Sequence, residues 1–145
     1  MRKFSKSVRI NATPDQVWAV LADQEGMPKW FKGMGKVTVD KKPVGVGTGR
    51  KIYAGGRVIL DEVISHWEPG RLFGYQVRPN PLVKGHQGLI SISPAGSGAV
   101  DVTYSTELQT GIPIPGDPVG LVAGLGLNQI IGGALKNLKR LAERT

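Results

Sequence analysis

The chain has 145 residues, of which 40% are apolar and 21% charged, and carries a formal net charge of +8. That size and balance predict a single globular core over residues 1–145 and exclude disorder and coiled coil. Glycine and proline number 21 and 10, which calls for many turns, and the absence of cysteine excludes disulfides, thiolate metal sites and cysteine nucleophiles.

Only His66 and His86 offer imidazole ligands, with no His-Glu-x-x-His or closely spaced histidine pair, so neither metal nor other cofactor is expected. No stretch is long and apolar enough for a transmembrane helix, and the opening residues run into alternating polarity rather than the apolar block of a secretory signal. With no cysteine, the expected compartment is the cytoplasm. The cations are scattered from Arg2 to Arg144 with no run of five, which argues against a specific nucleic-acid partner.

In chain order, Phe4, Lys6, Val8 and Ile10 alternate with polar residues and predict a first strand. Thr13-Pro14-Asp15-Gln16 reads as a capping box that starts a helix carrying Val17, Trp18 and Leu21 and failing near Asp23 to Gly26. A second short helical turn holds Met27, Trp30 and Phe31. From Gly33 to Gly111, β-branched alternation broken by glycine and proline predicts antiparallel strands near 35–42, 48–54, 57–67, 71–78, 85–94 and 98–108. Gly55-Gly56, Glu68-Pro69-Gly70 and Ala95-Gly96-Ser97-Gly98 supply the turns. Gly45-Val46-Gly47-Thr48-Gly49 lacks the strand-to-helix context and Gly-Lys ending of a phosphate loop and reads as a strand-bounding loop. Asp117-Pro118 opens a long C-terminal helix whose buried stripe is Val122, Leu125, Ile130, Ile131, Ala134, Leu135, Leu138 and Leu141. Its glycines 120, 124, 126, 132 and 133 lower helix propensity, and either leave room for a ligand or permit close contact with a sheet.

This order of elements, with Asn11-Ala12-Thr13-Pro14-Asp15-Gln16-Val17-Trp18, Met27-Pro28-Lys29-Trp30, Val46-Gly47-Thr48-Gly49-Arg50, Glu62-Val63-Ile64 and Trp67-Glu68-Pro69-Gly70-Arg71-Leu72, resembles the START and birch-pollen-allergen-like (SRPBCC) superfamily over essentially the whole chain. Within it, the bacterial polyketide cyclase/dehydrase-like and lipid-transport-like proteins are the nearest subgroup. The resemblance implies an α+β helix-grip fold: a curved antiparallel sheet of about seven strands wrapped on a long C-terminal helix, with two short helices after the first strand and a cavity between sheet and helix.

Strand alternation puts Leu60, Glu62, Ile64 and His66 on one face and Ile59, Asp61, Val63 and Ser65 on the other, so either face carries an acid. The resemblance to the superfamily's plant hormone receptors selects the Glu62 face, points Tyr75 and Val77 inward, and places His86 at the pocket mouth. Trp30, Gly124 and Asn128 complete the expected ligand-binding set, although helical phase does not decide whether Asn128 or Gln129 faces inward. Two functions compete: binding or transport of a small hydrophobic molecule, and a metal-free cyclase or dehydratase with Glu62 and His86 as catalytic groups. A basic interaction module is a third, and the chain is expected as a monomer or homodimer.

Overall fold

The structure is a computed structural model that describes residues 2–79, 83–110 and 118–144, with the side chains of 2, 83, 84, 109, 110 and 118–127 outside the description. Strand β1 (Arg2–Ile10) leads into helix α1 (Pro14–Ala22) and a 3-10 helix (Gln24–Lys29). Strands β2 (Lys36–Val39), β3 (Gly49–Ala54), β4 (Arg57–Glu68), β5 (Leu72–Val77), β6 (Val83–Pro94) and β7 (Val100–Thr110) follow, and helix α2 (Pro118–Glu143) ends the chain. All strands join one antiparallel sheet in the order β1-β7-β6-β5-β4-β3-β2.

The local signals act as expected. The Thr13 hydroxyl accepts from the Gln16 amide at 3.2 Å while Gln16 Oε1 accepts from the Thr13 amide at 2.8 Å, so two otherwise orphaned donors are satisfied at the start of α1. The helix stops at Asp23, whose carboxylate accepts from the Gly26 amide and opens the 3-10 turn. Gly55 and Gly56, with φ of 59° and 77°, turn the tight β3–β4 hairpin through a conformation that side-chain-bearing residues resist.

Two β-bulges correct the simple alternation along β4. One, opposite Ile52 and Tyr53, leaves Ile59 as an extra residue, so Ile59 and Leu60 border the same cavity instead of opposite faces. The other, between Ile64 and His66, turns Trp67 inward onto Trp18 and Phe73, at ring separations of 5.0 and 6.0 Å, and leaves His66 exposed. The inner face of the sheet otherwise follows period two: Val100, Val102, Tyr104, Thr106 and Leu108 of β7 are all buried.

Helix α2 crosses this face and buries Ile131, Ala134, Leu135, Leu138 and Ala142. Ile130, expected in the stripe, is 48% exposed because it lies one residue, about 100° of helical turn, from Ile131. Leu141 is half-buried, and the side chains of Val122 and Leu125 lie outside the described residues. The end of α2 is fixed to the end of β1: Lys139 Nζ donates to the Arg9 carbonyl and the Asn11 amide donates to Glu143, each at 2.8 Å.

Candidate functional site

Where sheet and helix do not close on each other, a cavity of 220 Å³ remains. Ile52 of β3 and Ile59 and Leu60 of β4 form its sheet wall, Phe31 and Met34 its wall after the 3-10 helix, and Ile130 its helix edge. Its polar contributors are few: Glu62, Tyr75 and His86 from three neighbouring strands, and Lys32. A larger hollow of 450 Å³ along β2–β4 is bordered by Asp40, Lys51, Asp61 and Arg78, a charged surface with the Arg78–Asp61 ion pair and not an apolar chamber.

The register explains why Glu62 and His86 share a wall, since Glu62 pairs with Val77 and Val77 with His86 along one row of the sheet. Val77 itself is buried and borders a separate hollow of 260 Å³ with Pro79 and Gly85 at the strand ends. Trp30 is 2% exposed and packs edge-on against Phe31, which takes the cavity wall in its place. Asn128 is half-buried and Gln129 exposed; neither borders the cavity, and their neighbour Ile130 does. The surroundings of Gly124 lie outside the described residues. At Gly132 and Gly133 an added Cβ would meet nothing within 4 Å, so these two glycines do not mark a close helix-to-sheet contact.

A residue that strand reading did not single out organises the site. Arg50 on β3 is 1% exposed, and its Nε donates to Glu62 Oε1 at 2.5 Å. Its Nη1 donates to Gln24 Oε1 at 2.6 Å, and Gln24 in turn donates to the Leu21 carbonyl at 2.9 Å, so the polar chain runs from sheet to helix end. The guanidinium stacks 5.2 Å from the Phe73 ring and 4.8 Å from the Tyr75 ring. Arg50 and Ile52 are two apart on one strand and so share a face; once Ile52 is in the core, Arg50 enters it too and needs a carboxylate to meet.

Burial pushes the Glu62 carboxyl above its ordinary value, against the pull of the Arg50 guanidinium. Burial likewise raises both Tyr75 and Tyr104, whose hydroxyls meet at 2.6 Å, so both remain neutral phenols. His86 is pushed below its ordinary value by the same desolvation, and its Nε2 is buried with no hydrogen-bond partner among the described residues. Its ring stands edge-on to Tyr75 at 5.9 Å.

A sequence profile of the family described as polyketide cyclase / dehydrase and lipid transport matches residues 1–143. The chain belongs to that family. Among its relatives, an uncharacterised protein of Mycobacterium tuberculosis is 37% identical over 67 residues, 46% of this chain and 40% of the relative. The match thus spans about two fifths of that protein's length. Among solved structures, the Zhui aromatase/cyclase from Streptomyces sp. R1128 superposes with a TM-score of 0.78 at 19% identity, over 99% of this chain and 94% of that one. The di-domain aromatase/cyclase BexL gives 0.77 at 17% identity, over 99% of this chain and 47% of that one. A START superfamily protein from Mycobacterium smegmatis gives 0.67 at 14%, over 97% and 94%. At these identities the superpositions establish the helix-grip fold shared with START proteins. Among the described residues no helix is long and apolar enough to cross a membrane, and no cluster of three or more His, Asp or Glu side chains is placed to hold a metal ion.

Proposed function

We propose that residues 1–145 act as one ligand-binding domain that holds a small hydrophobic molecule in the 220 Å³ cavity between sheet and helix. The supporting observation is the character of the wall: among the described residues it is aliphatic and aromatic over most of its surface, with its one carboxylate already paired to a buried guanidinium. Such a wall, with Lys32 as its remaining charge among the described residues, rewards removal of apolar surface from water. The volume lies below the roughly 300–1,000 Å³ of drug-sized sites, which suits a compact ligand. Filling the chamber tests this. Leu60→Trp should abolish binding of an environment-sensitive naphthalene dye while leaving a cooperative unfolding transition, and unchanged dye binding would refute the assignment.

A cyclase or dehydratase is the second reading, favoured by the convergence of Glu62, Tyr75 and His86 on one cavity and by a buried His86 Nε2 that has no hydrogen-bond partner among the described residues. In that reading His86 takes up or gives the proton and Tyr75 hydrogen-bonds a carbonyl. Glu62 suits the acid/base role poorly, because its protonation would strand the Arg50 charge in the core. The two readings part on the product: a carrier releases its ligand unchanged, an enzyme releases one that has lost water or gained a ring. The basic-module reading has less support, since Lys3, Arg9, Lys42, Arg71, Arg78 and Lys139 each pair with a carboxylate and break up the positive surface.

A further inference from the structure

Gly88 of β6 faces Tyr75 of β5 in the sheet register. A Cβ added at Gly88 would collide with Tyr75 Cζ, Cε1 and the hydroxyl oxygen, so the phenol ring lies directly across the β6 backbone at that position. Glycine there leaves a slot for the ring. At the far end of the slot the Tyr75 hydroxyl meets that of Tyr104 at 2.6 Å, which fixes the ring at its tip as well as along its edge.

The ring also marks a boundary. Toward Leu60, Glu62 and His86 the sheet borders the cavity. Beyond Tyr75, the next row of the sheet holds Phe73, Ile90 and Tyr104, each no more than 2% exposed; Ile64, opposite Tyr75 in its own row, is 1% exposed, and Arg50, from the Glu62 row, lies 4.8 Å from the ring. We propose that Tyr75, seated in the slot at Gly88 and tied to Tyr104, is the end stop of the cavity and sets the longest apolar ligand the chain accepts. This rests on the binding function proposed above and adds the residues that determine specificity within it.

The mechanism is steric. An apolar tail gains affinity for each methylene it buries, about fourfold per group from the general transfer scale, until it meets the fixed ring. Beyond that length further methylenes stay in water and affinity levels off. The boundary moves only if the ring moves or is removed.

The experiment measures the affinity of straight-chain primary alcohols, from about six to about sixteen carbons, by displacement of the naphthalene dye. In the native chain affinity should rise with length and then level off. Tyr75→Ala should move the levelling point to chains longer by on the order of three carbons, and Tyr75→Leu by fewer, with about fourfold gained per added methylene in between. Tyr75→Phe, which keeps the ring, should leave the point where it was. Gly88→Ala should push the ring out of its slot and shorten the preferred chain, and it should have no such effect in the Tyr75→Ala background. A levelling point unmoved by both Tyr75→Ala and Tyr75→Leu overturns the end stop while binding stands. Absence of binding by every alcohol to the folded native chain overturns the binding function and the end stop together. If Gly88→Ala fails to fold, the Tyr75 variants decide the matter alone.

Discussion

On β4 and β5, Ile64 and Phe73 are 1% and 2% exposed among the aromatic rings that join the sheet to α1, whereas Glu62 and Tyr75, their neighbours on the same strands and face, border a 220 Å³ cavity. The difference lies in what covers each half. Over the closed half, Leu135, Leu138 and Ala142 of α2 and the Trp18–Trp67–Phe73 ring series complete a close-packed core. Over the open half, α2 presents Ile130, which is half exposed. One sheet face thus serves stability at one end and accommodation at the other, and Arg50, stacked on Phe73 and Tyr75 and paired to Glu62, stands at the join.

The largest effect should come from breaking that join. Arg50→Ala leaves the Glu62 carboxylate buried without its partner and removes two ring contacts, so urea unfolding should show a loss of about 3–5 kcal/mol. Replacing both members, Arg50→Met with Glu62→Leu, should recover most of it, since an apolar pair of similar volume avoids the desolvation cost. A single variant as stable as the native chain would show that the pair does not form.

Next in size is the contrast between the two halves of α2. Leu138→Ala in the closed half should cost about 2–5 kcal/mol through lost burial and the void it leaves. Ile130→Ser, at the cavity edge, should stay within about 0.5 kcal/mol of the native chain because no close packing is lost there. Equal losses in thermal unfolding would mean that the open half is packed as tightly as the other.

The smallest expected effect is a pH slope. Burial holds the His86 imidazole below its ordinary value, so the fold favours the neutral ring. The contribution is therefore complete above the unfolded-state value of about 6.5 and declines as pH falls below it toward the folded value. His86→Asn should flatten this part of the stability profile, and identical slopes in the two proteins would place the histidine in solvent.

What the sequence makes legible follows from the range of each interaction. The capping box at Thr13, the glycine hairpin at Gly55-Gly56 and the long helix from Pro118 depend on residues a few positions apart, and all three form where local pattern puts them. The family and its helix-grip architecture follow from the order of such elements. Face assignments along β4 hold as far as Ile64 and fail on either side, because each bulge is set by the partner strand and leaves no mark in the alternation itself. Arg50 was hidden among the scattered cations, since its burial depends on Glu62 twelve residues away and on Gln24 in a different element. The Tyr75–Gly88 fit is equally invisible to periodicity, which records that both positions face inward but not that one ring occupies the space of both.

The central claim, that the open half exists to hold a small apolar molecule, is tested most directly by native mass spectrometry of the chain purified from its own host. The expected result is a population heavier than the bare chain by the mass of one hydrophobic compound, lost on organic extraction and missing from Leu60→Trp. A spectrum showing only the bare chain, before and after incubation with a lipid extract of the same cells, would contradict it.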